Sequence, residues 1–286
     1  MAGPGVLSMS RAVSLGNTGR KRVNPDTLVL SGGGLKGVAT LGALERLRTA
    51  GLLAKVKTVV GTSAGALVGA LVATRRDFRG ALKTIGAHGY APDFDFDRLS
   101  REYGLDNGQC IEKLLLALLD DKDADLTFAQ LVAKYDIRLV VCVTNVSQRK
   151  AEYLGADTHP DMLIRQAIRM SCSVPLYFGA VKYEQNWYVD GSIVDNFPCD
   201  WAADNGATWI LGVSTRPVQS SICSFEGFIG AVVESAASSQ TCSRADILNL
   251  ELPGVSSLNF GADPAVIASL FAAGMEQADA FIKKRV

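Results

Sequence analysis

Residues 56–75 read VKTVVGTSAGALVGALVATR, and the order of residue types in this stretch decides the fold. Val56 to Val60 is a short, apolar, β-branched run, the pattern of a buried parallel strand. Gly61-Thr62-Ser63-Ala64-Gly65 is G-x-S-x-G, and Ala64 to Arg75 continues as an apolar helix. A serine placed between glycines at a strand-to-helix turn is a nucleophile elbow. Gly61 and Gly65 remove side chains that would clash in the sharp turn, and Ser63 Oγ is exposed at a helix N-terminus that favours negative charge. The same stretch imitates a membrane span, being uncharged for 17 residues from Thr58 to Thr74. A span needs about 20 predominantly apolar residues; here Ser63 and the glycines interrupt the run near its start. Strand, turn and buried helix is the better reading.

Upstream, Thr27 to Ser31 (TLVLS) is another short apolar run, and it ends in SGGGLKG, Ser31 to Gly37. Gly37 to Ala50 follows, with Leu41, Leu44 and Leu47 in a helical stripe closed by Gly51. Two strand–helix units in succession predict a right-handed βαβ unit. Gly32, Gly34 and Gly37 satisfy G-x-G-x-x-G, the fingerprint of a dinucleotide site. That site needs an acid at the end of the second strand to hold a ribose, and here the second strand ends in Gly61-Thr62-Ser63. A P-loop fails too, because Val38 and Ala39 follow Gly37 rather than Lys and Ser/Thr. What the loop does supply is backbone N–H groups at a helix N-terminus, with Lys36 adding positive charge. Such a loop stabilises a phosphate or the oxyanion of acyl transfer alike.

Further along, Asp77 is expected to cap a helix reaching Ala87, residues 91–97 (APDFDFD) to form a loop, and Cys110 to Leu119 to be helical. Asp125 or Thr127 opens another short helix. Ile137 to Val143 (IRLVVCV) is the clearest central strand, with Glu152 to Leu154 beside it. Met162 to Met170 reads as helix, Trp187 to Val189 and Trp209 to Val213 as strands, and Asp263-Pro264 as the N-cap and first residue of a helix to Lys284. The expected fold class is α/β, a three-layer α/β/α arrangement with a mostly parallel central sheet.

A serine nucleophile needs a base. The chain has two histidines, His88 and His159, and none follows the best acid, so the Ser–Asp/Glu–His order of α/β-hydrolases is disfavoured. A carboxylate is the simplest alternative. Asp190-Gly191 closes the run Trp187-Tyr188-Val189, at a strand end where α/β enzymes place catalytic groups, with a glycine free to make the turn.

These blocks together resemble the patatin-like phospholipases: GGGLKG at Gly32–Gly37, GTSAG at Gly61–Gly65, AIRMSCSVPLYF at Ala167–Phe178, and Asp190-Gly191 followed by Asn196-Phe197-Pro198. They span about two-thirds of the chain, in the family's order. The resemblance implies Ser63 as acylated nucleophile and Asp190 as its base. It places the oxyanion hole in the glycine loop, at Gly32, Gly33, Gly34 and Lys36, with the amides of Gly33 and Gly34 as donors. It implies a lipid acyl hydrolase that needs no metal or other cofactor. One departure is visible: the family usually reads D-G-G or D-G-A, and here Ser192 follows Gly191. Residues 85–135 and 215–260 match no block, and they are where the family's variable lid and acyl-pocket regions would lie. Within them Phe225, Phe228, Ile229, Val232 and Val233 are read as helical core in preference to an acyl channel. Two other readings stand beside the hydrolase: a nucleotide-binding oxidoreductase using Gly32–Gly37, and an inactive lipid-binding homologue.

Composition excludes several classes. The chain has 286 residues, 48% hydrophobic and 20% charged, which rules out disorder and a disulfide scaffold. Its 29 basic residues balance 29 acidic ones, so there is no excess charge with which to grip nucleic acid. The six cysteines form no C-x-x-C pair and are read as reduced, mostly buried thiols. Residues 1–25 are small, polar and basic through Arg11, Arg20, Lys21 and Arg22, and they lack the apolar core of a signal peptide. A disordered tail is preferred there over a transit peptide, with residues 26–286 forming a single hydrolase domain. A cytoplasmic protein touching membranes transiently is the expected setting, with a lipid as its substrate partner.

Overall fold

A computed structural model describes residues 24–88, 93–215, 222, 224–236 and 242–285; the basic segment before Asn24 lies outside the described residues, as does Cys223. The first strand β1 (Thr27–Leu30) leads through a tight turn at Gly34–Lys36 into α1 (Gly37–Thr49), and β2 (Thr58–Thr62) leads through Ser63 into α2 (Ala64–Ala73). Next come α3 (Phe78–His88), α4 (Phe96–Glu102), β3 (Gly104–Asp106), α5 (Gln109–Ala124) and α6 (Phe128–Tyr135). They are followed by β4 (Arg138–Asn145), β5 (Lys150–Gly155), α7 (Ile164–Ser171), β6 (Leu176–Phe178), β7 (Val181–Tyr183) and β8 (Asn186–Asp190). The chain closes with α8 (Cys199–Asp204), β9 (Ile210–Thr215), α9 (Phe225–Ala236), β10 (Ala245–Leu250) and α10 (Pro264–Lys283).

Strands β10, β9, β1, β2 and β4 pair in that order, all parallel, as the two βαβ units require. Strands β5 and β8 both add to β4 antiparallel. Alternation along the strands sorts the core into two layers. Leu28, Leu30, Val59, Leu139 and Val141 join the larger cluster with α1, α2, α7 and α10, while Val29, Val60 and Val140 meet Phe197, Cys199 and Ala202 around α8. The α/β expectation, with its mostly parallel sheet, therefore holds.

Register places the site. A strand has two edges and each ladder occupies one of them. Residues Val140–Cys142 of β4 pair with both β2 and β5, and Val143–Asn145 pair with both β5 and β8. Strand β5 must then hold one edge, while β2 and β8 share the other, end to end. The last pair of β2 is Thr62 with Cys142, and the last of β8 is Asp190 with Val143. Ser63 thus leaves the sheet at the place where Asp190 arrives.

Several boundaries differ from expectation. The second strand begins at Thr58 rather than Val56 and runs through Gly61 and Thr62. Within the stretch read as a loop, Asp95 accepts a hydrogen bond from the Asp97 N–H (2.9 Å) and opens α4, so Phe96 and Asp97 are helical; Ala91 and Pro92 lie outside the described residues. Thr127, not Asp125, caps α6, in a reciprocal capping box with Gln130. The span-like stretch 58–74 is β2, the elbow and α2, in the middle of the sheet. Among the described residues, α10 is the one helix long and apolar enough to cross a membrane; its Ile267, Leu270, Phe271 and Ala278 are buried in the core instead.

Candidate active site

The elbow forms because its glycines let backbones meet. A Cβ on Gly61 would run into the Gly65 carbonyl at 2.5 Å, and one on Gly65 into the carbonyls of Leu30 and Ser31 at 2.5 and 2.6 Å. Ser63 itself sits at φ 53, ψ −125, a backbone state that side chains rarely adopt. Ser171 holds it there. The Ser63 N–H donates to Ser171 Oγ (2.8 Å), and that hydroxyl donates to the Cys142 carbonyl (2.6 Å), tying the strained turn to β4.

Ser63 Oγ donates to Asp190 Oδ2 at 2.6 Å, a length typical of a hydroxyl on an ionised carboxylate. The Asp190 side chain is fully buried. Its second oxygen, Oδ1, accepts from the Ser192 N–H (2.9 Å) and from Ser192 Oγ (2.6 Å). Burial disfavours the charged form and pushes the Asp190 carboxyl up to about 6; the hydrogen bonds from Ser192 and Ser63 act in the opposite direction. The thiols Cys142 and Cys172 face the same carboxylate, and burial raises both well above the ordinary thiol range, so they stay neutral.

The glycine loop lies against this pair. Most of its amides are engaged: Ser31 N–H with Val213 O (3.1 Å), Gly32 N–H with Asn196 O (3.1 Å), Leu35 N–H with Ser257 O (2.8 Å), Lys36 N–H with Gly33 O (3.0 Å), and Gly37 N–H with the Gly34 carbonyl. The amides of Gly33 and Gly34 between them have no acceptor among the described residues. Lys36, expected to add positive charge to the loop, has that charge paired. Its side chain is buried, its Nζ bonds Glu234 Oε1 of α9 at 2.8 Å, and it does not line the cavity. Ser257 Oγ donates to the same Glu234 oxygen (2.5 Å), so the ion pair fastens α9 and the segment around Ser257 to the loop.

Ser63 and Asp190 open into a cavity of about 800 Å³. Its walls are largely apolar, among them Leu67, Val68, Ile85, Leu114, Phe178 and Val233. An apolar chamber with a few convergent polar groups suits a lipid tail. Neither histidine is hydrogen-bonded to Ser63: His88 stands on the cavity wall at the end of α3, and His159 lies between β5 and α7. The helix α9 divides its residues. Gly230, Val233 and Glu234 line the cavity and Ile229 is buried, whereas Phe225, Phe228 and Val232 are exposed and are not the core expected of them.

Sequence reasoning named Ser63, Asp190, Gly61, Gly65 and the glycines, and the structure brings them together. It gave no role to Ser171, Glu234 or Ser257. Ser171 lies inside a quoted block, AIRMSCSVPLYF, and that was the available signal; Glu234 and Ser257 sit in a region with no motif.

Comparison with known proteins bears on family and fold. The pattern of the patatin-like phospholipases matches residues 28–203. A protein of Invertebrate iridescent virus 6 named "Probable lipid hydrolase 463L" is 30% identical over 203 residues, covering 66% of this chain and 69% of its own. The lysophospholipase nte1 of Aspergillus niger is 25% identical over 195 residues, which are 67% of this chain but 12% of that one. In fold, the chain is similar to VipD from Legionella pneumophila, with a TM-score of 0.58, 19% identity, and coverage of 92% of this chain and 67% of that one. It is also similar to human GIVD cytosolic phospholipase A2, with a TM-score of 0.52, 12% identity, and coverage of 92% and 59%. The chain belongs to the patatin-like phospholipase family and is a lipid acyl hydrolase.

Proposed function

We propose that the protein is a carboxylic ester hydrolase of the phospholipase A type, cleaving fatty-acyl esters of phospholipids or related glycerolipids. In this reading Ser63 is the nucleophile, Asp190 its base, and the amides of Gly33 and Gly34 receive the oxyanion. The observation that carries it is the 2.6 Å hydrogen bond from Ser63 Oγ to a fully buried carboxylate at the floor of an apolar cavity. Asp190 takes the Ser63 proton as Oγ bonds to the ester carbonyl carbon, and the carbonyl electrons move onto an oxygen facing the glycine amides. When the carbonyl re-forms, the ester C–O bond breaks and the leaving alkoxide takes the proton back from Asp190. Water then repeats the sequence on the acyl-enzyme, with Asp190 as base, and releases the fatty acid.

Such an enzyme works as a cytoplasmic protein in passing contact with membranes, since its substrate resides there. The dinucleotide reading has no support in the site, because the second strand brings Ser63, and no ribose-binding acid, to the glycine loop. The test is fatty-acid release from phospholipid mixed micelles by wild type, Ser63→Ala and Asp190→Asn, alongside labelling of Ser63 by a fluorophosphonate. Loss on the order of a thousandfold in both variants, with the folded state intact, is expected. Equal release by all three would exclude the dyad, and an unlabelled, inactive wild type would make the chain a lipid binder.

A further inference from the structure

We propose that the side-chain amide of Asn196 is a third donor to the oxyanion, beside the backbone amides of Gly33 and Gly34. The proposal rests on the hydrolase reading above and adds a residue to its machinery.

The first observation is how the segment after Asp190 is held. The Gly191 carbonyl accepts from the N–H groups of Val194 (3.1 Å) and Asp195 (2.9 Å), closing a turn. The Asp195 carbonyl accepts from Thr62 Oγ1 (2.9 Å), next to the nucleophile in sequence, and the Asp195 carboxylate accepts from Tyr153 OH (2.7 Å). The Asn196 carbonyl accepts from the Gly32 N–H (3.1 Å), and Phe197 is buried in the second core layer. Residue 196 is thereby tied to the end of β2 and to the glycine loop through main-chain atoms alone.

Its side chain takes no part in this. Among the described residues the Asn196 carboxamide makes no hydrogen bond. An asparagine that serves a turn bonds the backbone two residues on, as Asn107 does with the Gln109 N–H (3.0 Å). Asn196 is half-buried and lines the cavity that holds Ser63 and Asp190.

The second observation places the carboxamide. A Cβ added to Gly32 would collide with Asn196 Oδ1 and come within 3.2 Å of Ser63 Cβ. One methyl-sized volume over the Gly32 backbone therefore has the serine on one side and the carboxamide on another, and glycine keeps it open. Ser63 Oγ already donates to Asp190 Oδ2 (2.6 Å), so an ester carbonyl must reach Oγ from a different side. The glycine loop offers one, with two amides that lack an acceptor among the described residues.

Chemistry then selects the role. As Ser63 Oγ bonds to the ester carbon, the carbonyl electrons move onto its oxygen and charge appears there. A carboxamide is neither base nor nucleophile; what it supplies is an NH2. Rotation about χ2 presents either of its ends to the same volume, and a developing anion selects the NH2. The N–H bonds the oxygen and keeps its proton. Because the main chain at 196 is already held, the donor needs no rearrangement when the charge forms, the condition under which such a contact lowers the barrier most. Lys36, the cation of this loop, is paired with Glu234 and does not line the cavity, so the added donor is a neutral one.

The test compares wild type, Asn196→Ala and Asn196→Leu, the second filling the space of the carboxamide without a donor. The parameters kcat and KM are measured on a soluble short-chain ester. Affinity is measured for two ligands of equal chain length: an alkyl trifluoromethyl ketone, which Ser63 converts to a tetrahedral alkoxide, and the alkyl methyl ketone, which stays planar. Both variants should lose on the order of a hundredfold in kcat, with KM kept. Affinity for the trifluoromethyl ketone should fall by a similar factor while that for the methyl ketone holds. Melting temperatures should also hold, because the main-chain bonds of the segment remain. Wild-type kcat in the variants, a rise in KM alone, or an equal loss of both ketones would each overturn the proposal, the last by giving Asn196 a packing role. Ser63→Ala, measured alongside, separates this from the underlying reading. If Ser63→Ala cleaves the ester as fast as wild type, or wild type holds the two ketones equally, the hydrolase reading itself fails and the third donor falls with it.

Discussion

Ser192 occupies the position where the family usually has glycine or alanine, and its hydroxyl should set the acid limit of the enzyme. Ser192 Oγ donates to Asp190 Oδ1 at 2.6 Å, while the Ser192 N–H and Ser63 Oγ supply the other bonds to the carboxylate. Asp190 must be ionised to accept a proton, so kcat/KM should fall as pH drops through about 6, the value to which burial lifts this group. Ser192→Ala removes one hydrogen bond to the charged form and leaves the backbone donor in place. A bond to a charged group contributes about 1.5–3 kcal/mol, and about 1.4 kcal/mol corresponds to one pKa unit. The acid limb should therefore move up by about one to two units, with the rate on the high-pH plateau kept or slightly raised. Ser192→Gly should behave in the same way, and Ser192→Thr, which keeps the hydroxyl, should restore the wild-type limb. The assay is kcat/KM for a soluble short-chain ester between pH 4 and pH 9 (about the usable range of a folded protein), which reports the free enzyme. Other groups facing Asp190 do not confuse the result, since Ser63 does not titrate there and burial keeps the Cys142 and Cys172 thiols neutral. An unmoved acid limb in Ser192→Ala would refute the reasoning: either Asp190 is not the base or its second oxygen is not held by Ser192.

Two further outcomes follow from the same contacts. Glu234→Gln should be the damaging half of the Lys36–Glu234 pair, because Lys36 is 4% exposed and would keep a buried charge without its counter-charge, a loss of about 3–5 kcal/mol. Lys36→Met leaves Glu234 at 29% exposure and still bonded by Ser257 Oγ, so denaturant unfolding should rank it well above Glu234→Gln. Asp190→Asn should be inactive yet more stable than wild type at neutral pH. An acid whose pKa rises on folding destabilises the folded state once ionised, so the cost is absent below about pH 4 and complete above about pH 6; two units correspond to about 3 kcal/mol. Melting curves should therefore show a gap in favour of the variant above pH 6 that closes toward pH 4, and a variant less stable at neutral pH would contradict the burial argument.

Much of the site was legible in the residues because its demands are local. A serine in a strained turn needs glycines at fixed offsets, and a turn after a strand end favours Asp-Gly, so both halves of the dyad carry a signature within five residues. The acid order and the absence of a usable histidine then narrowed the base. Contacts made across the sheet left no such mark. Ser171 is one serine among many until the fold sets its hydroxyl between Ser63 N and Cys142 O. The strands β3, β6 and β7 are three residues each, too short to show a period. The segment ADILNL of β10 alternates weakly, and among the described residues β9 alone pairs with it. Helix α9 has the composition of a core helix, and composition could not say that one of its faces would line a cavity while the other stood exposed.

The end-to-end strands suit the proposed dyad, in which two residues do the work of three. An exposed aspartate, with a pKa near 3.9, is too weak a base to take a serine proton at an appreciable rate. It becomes more useful when buried, but a buried carboxylate must be held by donors or it will take a proton from solvent instead. Where β8 meets β2 along one edge of β4, both conditions are met together. The Asp190 N–H donates to Ser173 O (2.9 Å) and the Thr144 hydroxyl donates to the Asp190 carbonyl (2.8 Å), so the backbone around the carboxylate is enclosed and satisfied. The side chain is left with donors on both oxygens, one of them the Ser63 hydroxyl proposed as nucleophile. A histidine interposed between them would need a gap of several ångströms that this register does not contain. The register thus fits the proposed dyad: Thr62 and Asp190 face successive residues of the same strand, and Ser63 Oγ reaches Asp190 Oδ2 directly, with no third group between them.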